Sequence, residues 1–383
     1  MTISEHLYSD IVSGKCVIFA GAGISTEGGP YSAPTLYETI RVESGFTADH
    51  GMPFPDLMGA YCAKVDGGHK NRLIGKIIAR IESFSSPGEK HHVATSFHRS
   101  LSTIPFFRRI VTTNWDPFFE REMNVLVPMV EDRDVPFWND DKRQVIKIHG
   151  CVTRPYTIVV TNEDYENCIQ ERRCVFDKVR DLMSTRSFIY VGYSLRDPDL
   201  LLILDELIQR LGKFRRLCYV VDPLASEEGG KYAKSRGIEL IKVDGTGFLD
   251  GVRARLEKDN LIPSYRFLGF LAEEEMRILS AHTELSQESE GGLLSAMYQD
   301  GLLHGLQFVA NGAVQGLRRE DFVQEKSTSE LHLLRYRERK NSVEVAYCSG
   351  RYEVAKRFCA RDVSLIPTYF DPNTWTPIQE FRP

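Results

Sequence analysis

Residues 15–25 read Lys-Cys-Val-Ile-Phe-Ala-Gly-Ala-Gly-Ile-Ser, an apolar run that stops abruptly at two glycines. A short apolar run ending in glycine predicts a buried parallel strand that turns sharply into a helix. Without Cβ atoms, Gly21 and Gly23 let backbone N–H groups approach an anion, and the N-terminus of the following helix adds partial positive charge. The stretch therefore predicts the first strand of an α/β sheet and a phosphate-binding turn.

Two common nucleotide-binding loops do not fit this turn. A P-loop ends in Gly-Lys-Ser/Thr, but the nearest Gly-Lys, at residues 14 and 15, precedes the strand. A dehydrogenase fingerprint would place a third glycine where Thr26 stands and an acidic residue about 20 positions later, at the end of a second strand. Glu38 and Glu43 lie near that distance, but in a helical or irregular segment. The turn by itself is equally consistent with a structural role, in which the glycines only allow a helix to pack closely on the sheet.

Length and composition indicate a globular protein with two domains. The 383 residues exceed one ordinary domain, and 42% hydrophobic and 26% charged residues are ordinary proportions. The net charge of −5 offers no electrostatic argument for direct nucleic-acid binding. No leader and no run of about 18 apolar residues is recognisable, so we expect no membrane association and a cytoplasmic location.

Cysteine and histidine spacing predicts no metal site. None of the eight cysteines forms a Cys-x-x-Cys pair, which argues against a zinc ribbon. Nearby residues do not complete a coordination pattern around His91, His92 and His98, so we interpret these three as residues of a helix face.

Strand and helix patterns alternate through the first two thirds of the chain. The pattern of residues 31–103 predicts a helical insertion after the first strand of the sheet. Further strands are predicted at 109–113, 125–130, 145–148, 157–160, 188–191, 217–221 and 239–243, and later helices around Val175, at 200–211, around Tyr232 and at 248–257. This alternation predicts an α/β fold with a doubly wound, mainly parallel, Rossmann-like sheet and a helical insertion.

The alternation stops near Pro263, which predicts a division into residues 1–262 and 263–383. In the second part the patterns predict helices at 266–285 and 293–309, a hairpin of strands at 330–336 and 343–348, and an extended arm at 367–383. This part carries no chemical motif. We therefore expect a smaller α+β C-terminal domain with a role in assembly or regulation.

Polar residues follow several of the predicted strands. The segments are Thr112-Thr113-Asn114-Trp115-Asp116, His149-Gly150, Gly192-Tyr193-Ser194 and Asp222-Pro223. Each segment alone also fits a bland structural role, such as an Asx turn, a helix start or a core histidine. In open parallel sheets, however, ligands bind beyond the carboxyl ends of the strands. The joint occurrence of these segments at strand ends predicts one ligand site.

Four segments, in their order, resemble the motifs of the Sir2 (sirtuin) superfamily: residues 21–25, 113–116, 149–150 and 192–195. The resemblance covers roughly the first two thirds of the chain. It implies that the glycine turn binds the NAD pyrophosphate and that the other motifs surround the nicotinamide ribose. The residues assigned to NAD binding are Gly21, Ala22, Gly23, Ser25, Thr26, Gly192, Ser194 and Asp222, and those assigned to catalysis are Asn114, Asp116 and His149.

Two departures distinguish the chain from protein-deacylating sirtuins. Those enzymes carry a four-cysteine zinc module, and they follow the glycine turn with Pro-Asp-Phe-Arg, where this chain has Gly29-Pro30-Tyr31-Ser32. The module beside the acyl-lysine tunnel is therefore missing or rebuilt. What is left resembles the Sir2-like NAD-cleaving effectors of bacterial antiphage systems, and among them the SIR2 subunits that assemble with a HerA-type ATPase. This resemblance implies NAD as substrate, no metal, a homo-oligomer and a HerA-type ATPase as partner.

Cleavage of the nicotinamide–ribose bond passes through an oxocarbenium-like ribose, so the enzyme must orient water and stabilise developing charge. The amide of Asn114 can position a hydroxyl and a water, and His149 can accept a proton. We therefore predict an NAD glycohydrolase that forms nicotinamide and ADP-ribose and is gated by a partner or an infection signal. Two alternatives stay open: an NAD-dependent deacylase with an unfamiliar acyl pocket, and a non-catalytic nucleotide sensor or scaffold.

Overall fold

The computed structural model describes residues 3–379 except 47–50, 124, 126, 141, 194–204, 207, 226, 260, 284, 286–288, 316–318 and 372. The chain divides into two compact units. The first comprises Met1–Ser102 and Phe106–Val252, and the second comprises Thr103–Pro105 and Arg253–Pro383. This division falls inside a helix, before residue 262, and a domain boundary at 262 stays a prediction.

Six parallel strands form the sheet of the first unit. They are β1 (Cys16–Ala20), β2 (Arg109–Thr112), β3 (Gln144–Lys147), β4 (Ser187–Val191), β5 (Cys218–Val221) and β6 (Ile238–Ile241). Their order is β3-β2-β1-β4-β5-β6, and every neighbouring pair is parallel. The two central strands, β1 and β4, are buried along their whole length, as apolar runs are in a parallel sheet covered on both faces. The predicted doubly wound, Rossmann-like sheet is confirmed.

Helices connect and cover these strands. They are α1 (Glu5–Val12), α2 (Leu36–Glu43), α3 (Phe54–Val65), α4 (Asn71–Ser85), α5 (Glu89–Ala94), α6 (Ser96–Ser102), α7 (Phe118–Met123), α8 (Asn162–Glu171), α9 (Arg173–Thr185), α10 (Glu227–Ser235) and α11 (Gly245–Lys258). Helices α2 to α6 lie between β1 and β2 in the chain, which confirms the predicted helical insertion. In α4, buried Leu73, Ile77 and Ile81 recur with helical spacing and join an apolar cluster with residues of α2 and α3.

Two predicted strands of this unit are wrong. In the segment 125–130, Met129 forms a single bridge with Ile146 of β3, and the described residues there form no strand. In the segment 157–160, a 3-10 turn (Pro155–Thr157) is followed by residues without regular structure. Both segments contain buried apolar side chains such as Val130 and Val160. An apolar run predicts burial, but it does not reveal whether a strand partner is available. Half of the predicted helix at 200–211 lies outside the described residues, and the described residues 205, 206 and 208–211 are helical.

A basic residue stands at, or up to two positions before, the start of every strand of the six-stranded sheet. These residues are Lys15, Arg109, Arg143, Arg186, Arg216 and Arg236. Both Arg109 and Arg186 donate to the carbonyl of Gly14 at 3.4 Å, and Arg143 donates to that of Ser102 at 2.6 Å. Ser102 is the last residue of α6, and Gly14 lies in the turn just beyond the end of α1, so both carbonyls are near helix C-termini, where the backbone carries partial negative charge. The arginines of this amino edge of the sheet therefore stabilise helix ends.

The second unit is mainly helical. Its elements are α12 (Tyr265–Thr283), α13 (Glu290–Gln315), α14 (Arg319–Glu338), α15 (Ser342–Ala360), β7 (Tyr369–Asp371) and β8 (Thr376–Ile378). Helices α12 and α13 confirm the helices predicted at 266–285 and 293–309. None of the described helices of either unit combines the length and apolarity that crossing a membrane requires.

The predicted hairpin of residues 330–336 and 343–348 is wrong, because both segments are helical. The connection between them lies where the hairpin turn was expected, but it joins α14 to α15. There the side chain of Asn341 caps α15 by accepting a hydrogen bond from Glu344 N at 3.3 Å. This cap and the length of both helices outweigh the short alternation of apolar and polar residues. The C-terminal α+β prediction is therefore corrected to a helical unit with one small antiparallel hairpin.

The chain after α15 is extended and is held by side chains of the helices. Arg357 donates to Ser364 O (2.6 Å), Ile366 N donates to Glu274 Oε2 (3.1 Å), Gln299 Nε2 donates to Thr368 O (2.8 Å) and Phe370 N donates to Ser295 Oγ (3.1 Å). Every second residue from 364 to 370 therefore has a backbone group bonded to a helix side chain. The predicted arm at 367–383 is, in its described part, docked on its own unit.

Candidate active site

The candidate site lies at the carboxyl edge of the sheet, between β1 and β4. The chain runs outward from β1 through β2 to β3 and then returns to the other side of β1 with β4, so the connections change direction here. Open α/β sheets bind ligands at such a point. The turns after β1 and β4 are in contact: Gly21 N donates to Val191 O, and Gly23 N donates to Gly192 O, both at 3.0 Å.

This contact requires the glycines of the first turn. A Cβ on Gly21 would lie 2.4 Å from Gly192 O, and one on Gly23 would lie 2.9 Å from the same atom. The residues that follow form only a short 3-10 turn, Ala22–Ile24, in place of the expected helix. Because the N–H groups of both glycines donate within the protein, the phosphate-binding role assigned to Gly21, Ala22 and Gly23 stays a prediction.

Three buried polar side chains meet next to this turn. Ser25 Oγ donates to Asp116 Oδ2 at 3.1 Å, and Asn114 Nδ2 donates to Ser25 Oγ at 3.4 Å. The other carboxylate oxygen of Asp116 accepts from Phe118 N at 3.1 Å. The structure thus brings together Ser25, from the end of β1, and Asn114 and Asp116, from the end of β2. We call these three residues the polar cluster.

Hydrogen bonds to the strands fix the position of Asn114. Thr112 Oγ1 donates to Ala20 O at 2.8 Å and accepts from Asn114 N at 3.0 Å. The side-chain oxygen of Asn114 is buried, and no donor lies within hydrogen-bond distance of it in the part of the chain that the structure describes. Buried polar atoms are nearly always bonded, so this oxygen is a candidate acceptor for a hydroxyl group or water.

His149 lies at the end of the neighbouring strand. Thr112 of β2 pairs with Lys147 of β3, so Asn114 and His149 each follow their paired residue by two positions. The His149 ring is buried and meets Tyr165 edge to face, with ring centroids 5.0 Å apart. The structure therefore places His149 one strand away from the polar cluster, as expected for strands that share one edge.

Lys147 and Glu120 form an ion pair next to the polar cluster, and the sequence alone did not predict it. The side chain of Lys147 is fully buried, and its Nζ donates to the backbone carbonyl of Asp116 and pairs with Glu120 Oε1 at 3.2 Å. Burial by itself lowers the pKa of Lys147, but the Glu120 carboxylate and other neighbours outweigh it and raise that pKa above its usual value. Lys147 is therefore charged. Burial raises the pKa of Asp116, and the Lys147 ammonium opposes this shift.

The segment after Ser25 is held by Arg80 of α4, a second residue that the sequence analysis missed. Arg80 Nε pairs with Glu27 Oε1 at 2.6 Å, and its terminal nitrogens donate to the carbonyls of Thr26 (2.7 Å), Ser32 (2.8 Å) and Pro34 (2.9 Å). Burial raises the pKa of Glu27, although Arg80 opposes this. Thr26, assigned to NAD binding, is buried here, and its carbonyl is already bonded. No sequence signal relates Arg80 to residues some 50 positions away.

The remaining predicted NAD-binding residues are not members of the polar cluster. Gly192 lies in the turn that contacts Gly21, whereas Ser194 lies outside the described residues. Asp222 follows β5, which is two strands from β1, and its Oδ1 accepts from Leu224 N at 2.8 Å. Asp222 thus caps its own turn.

The histidines near α6 pack among aromatic rings. His98 contacts Phe97, Phe118 and Phe119, with centroids 4.4 to 6.2 Å from its own. Burial, followed by the charge of Lys147, lowers the pKa of His98 to about 3. Among the described residues, the structure brings together no group of three or more His, Cys, Asp or Glu side chains that could hold a metal ion.

Part of the chain is similar to known proteins. Residues 108–241 match the family described as SIR2-like domain, a segment that contains Asn114, Asp116 and His149 but not the turn after β1. The NAD(+) hydrolase ThsA of Enterococcus faecium is 26% identical over 217 residues, which are 55% of this chain and 44% of that protein. The NAD(+) hydrolase ThsA of Bacillus cereus is 27% identical over 204 residues, 51% and 40% of the two chains. The chain thus spans about two fifths of the length of the curated relatives that it matches.

Proposed function

We propose that the chain is an NAD+ glycohydrolase, which cleaves NAD+ to nicotinamide and ADP-ribose. The observation that carries this proposal is the buried polar cluster of Ser25, Asn114 and Asp116, in which the Asn114 oxygen faces no donor of the described chain. Two further findings support it: the match of residues 108–241 to the SIR2-like domain, and relatives that are named NAD(+) hydrolases.

In the proposed mechanism, Asn114 Oδ1 accepts a hydrogen bond from a ribose hydroxyl or from the attacking water. This contact orients the water on the oxocarbenium-like ribose, and His149 accepts the proton that the water loses. Ser25 Oγ accepts from the Asn114 amide at 3.4 Å and donates to Asp116 at 3.1 Å, so these two bonds hold the amide in one orientation. Because the departing pyridinium already carries the charge, nicotinamide leaves without help from a strong acid.

The binding half of the proposed site is the pair of turns after β1 and β4. We propose that the turn of residues 21–25 and Gly192 contact the pyrophosphate, with Thr26 and Ser194 beside them. Hydrogen bonds from Gly21 N to Val191 O and from Gly23 N to Gly192 O hold these two turns together. Asp222, after β5, is proposed to contact the adenosine half of NAD+.

We further propose that this activity is the effector of a bacterial antiphage system and is gated by a partner, with a homo-oligomer and a HerA-type ATPase as the candidate assembly. This part of the proposal depends on the resemblance of the sequence motifs. Coexpression with the product of the neighbouring gene, followed by mass measurement of the purified complex, tests it. A monomer that binds no partner would contradict the proposed assembly.

The activity itself is tested by quantifying NAD+, nicotinamide and ADP-ribose after incubation with the chain, with and without the coexpressed partner. We expect NAD+ loss that disappears in Asn114→Ala and His149→Ala. Asn71→Ala and His69→Ala, two exposed positions of the helical insertion, are the matched controls and should keep the parent rate. Normal turnover in both site variants would contradict the assigned site.

The same assay separates the alternative functions. A deacylase would form O-acyl-ADP-ribose from an acylated peptide, whereas a glycohydrolase forms ADP-ribose without a peptide. A sensor or scaffold would bind NAD+ or ADP-ribose without turnover even with its partner present.

A further inference from the structure

Lys147 occupies a place that a lysine rarely takes. It is the last residue of β3, its side chain has no exposed surface, and it precedes His149 by two positions. A buried ammonium is tolerated only where hydrogen bonds and an opposite charge compensate the lost hydration. Here the compensating groups are the backbone carbonyl of Asp116, which belongs to the polar cluster, and the carboxylate of Glu120, in the adjoining helix α7.

The segment 114–116 is consequently attached to three strands. Its N-terminal end is bonded to Thr112 of β2, whose hydroxyl is bonded to Ala20 of β1. At its C-terminal end, the Asp116 backbone is bonded to Lys147 of β3. The Asp116 side chain returns to Ser25, after β1. Two bonds reach the segment from the β3 side. Lys147, the last residue of β3, donates to Asp116 O, and Val152 N, beyond His149 in the chain, donates to Trp115 O at 3.0 Å. Of these two, the bond from Lys147 is the one made by a side chain.

We propose that Lys147 is a positioning residue, which holds Asn114 and Asp116 in the geometry that the reaction needs relative to His149. The inference rests on the proposed function for its catalytic consequence. The competing explanation is that Lys147 serves only as the counter-ion of Glu120. The two explanations differ in what should happen when both charges of the pair are removed together.

Three variants separate these explanations. Lys147→Met removes the ammonium that pairs with the largely buried carboxylate of Glu120, and we expect a large fall in Tm. Lys147→Met combined with Glu120→Met replaces the ion pair by apolar side chains, which restores much of the stability. Glu120→Gln, the matched control, keeps the lysine on the Asp116 carbonyl.

If Lys147 positions the segment 114–116, the double variant should be folded but should still cleave NAD+ slowly. We expect kcat to fall about 100-fold, as for misplacement of a reacting group by about 1 Å, with KM within a few-fold of the parent value. Glu120→Gln should keep kcat within a few-fold of the parent. A double variant with parental kcat would overturn the proposal, and so would a loss confined to KM.

Fluorescence provides a readout that does not need turnover. The chain has three tryptophans, and Trp115 lies between Asn114 and Asp116. In a Trp138→Phe/Trp375→Phe background, the emission and acrylamide quenching of Trp115 report the position of this segment. We expect stronger quenching in Lys147→Met/Glu120→Met and unchanged quenching in Glu120→Gln. Equal quenching in all three proteins would overturn the proposal. A parent chain that cleaves no NAD+ would contradict the proposed function, and the fluorescence would still decide the role of Lys147.

Discussion

The amino and carboxyl edges of the six-stranded sheet both carry rows of polar side chains, and these side chains use their hydrogen bonds differently. At the amino edge, Arg109, Arg143 and Arg186 donate to backbone carbonyls at, or just beyond, the C-termini of α1 and α6. At the carboxyl edge, Ser25, Asn114 and Asp116 bond to one another and leave the buried Asn114 oxygen without a donor in the described chain. Polar residues at strand ends therefore do not mark a site by themselves.

The physical origin of this difference is the direction of the helices. In a βαβ unit the helices run antiparallel to the strands, so helix C-termini, with their partial negative charge, collect at the amino edge. Arginine is suited to that edge because it remains charged and carries several donors. The carboxyl edge has no such excess of carbonyls to neutralise. The polar side chains of the carboxyl edge are therefore available to bind a ligand.

The largest effect on turnover should come from Asn114→Ala, at the carboxyl edge. Loss of the amide removes the group that orients water or a ribose hydroxyl, and we expect kcat to fall by about 100- to 1,000-fold, or roughly 3–4 kcal/mol. Steady-state NAD+ cleavage measures this loss, and thermal unfolding checks that the variant is folded. An Asn114→Ala variant with the parental kcat would contradict the assignment of the reaction to the carboxyl edge.

Gly21→Ala tests the close contact between the turns after β1 and β4. The new methyl group would lie 2.4 Å from Gly192 O, a backbone atom that cannot move alone. We expect a loss of about 3 kcal/mol in the free energy of unfolding, measured with urea. Gly75→Ala is the control, because that glycine lies in α4 with open space around it. Alanine there should stabilise by about 0.5–1 kcal/mol. Equal effects of the two substitutions would contradict the packing described for the turns.

Acid should affect the carboxyl side of the sheet through His98, which packs against α7. Its pKa is about 3 in the folded protein, whereas a histidine in an unfolded chain titrates near about 6.5. The stability that depends on neutral His98 is therefore fully present above about pH 6.5 and is lost as the pH falls toward 3. The charged groups that act on this ring are Lys147, Arg99 and His91.

Linkage gives the size of that effect as about 1.4 kcal/mol per pH unit, or about 2 kcal/mol between pH 6.5 and 5. His98→Leu should remove this part of the slope in urea unfolding, while His69→Asn, at an exposed position, should leave it unchanged. Parallel pH profiles of the parent and His98→Leu would show that His98 does not contribute.

The smallest effect is expected at the amino edge, for Arg186→Met. This change removes one hydrogen bond of 3.4 Å to Gly14 O, from a half-buried side chain close to other arginines. We expect a loss of about 0.5–1.5 kcal/mol in stability and no change in kcat or KM for NAD+. A marked fall in turnover with intact stability would assign the amino edge a role in the reaction.

Local patterns predicted the sheet and the members of the polar cluster. Apolar runs ending in glycine or polar residues identified the strands, and the carboxyl ends of parallel strands must meet at one edge. Asn114 and Asp116 were among these strand-end residues, and the resemblance to the Sir2 superfamily added Ser25 and assigned the roles of all three. The same reasoning failed for the hairpin predicted around Asn341, because a few alternating residues fit a strand and one side of a long helix equally well.

Two residues that shape the site could not be predicted in this way. Lys147 ends a strand, where a charged residue is typical of an exposed position, and Arg80 lies on a helix of the insertion. Their partners are remote in sequence: Lys147 bonds to Asp116, and Arg80 bonds to Thr26. No local pattern encodes such pairs.

The sequence by itself therefore determined the type of sheet, the glycine turn after β1 and the polar strand ends, because strand and turn preferences depend on neighbouring residues. The tertiary structure alone decided which polar groups bond to each other. Ser25 and Asp116 are 91 positions apart, and their hydrogen bond exists because β1 and β2 are adjacent and in register. Strand order and register are properties of the whole packed sheet, so the side-chain pairs that depend on them are decided only when the chain folds.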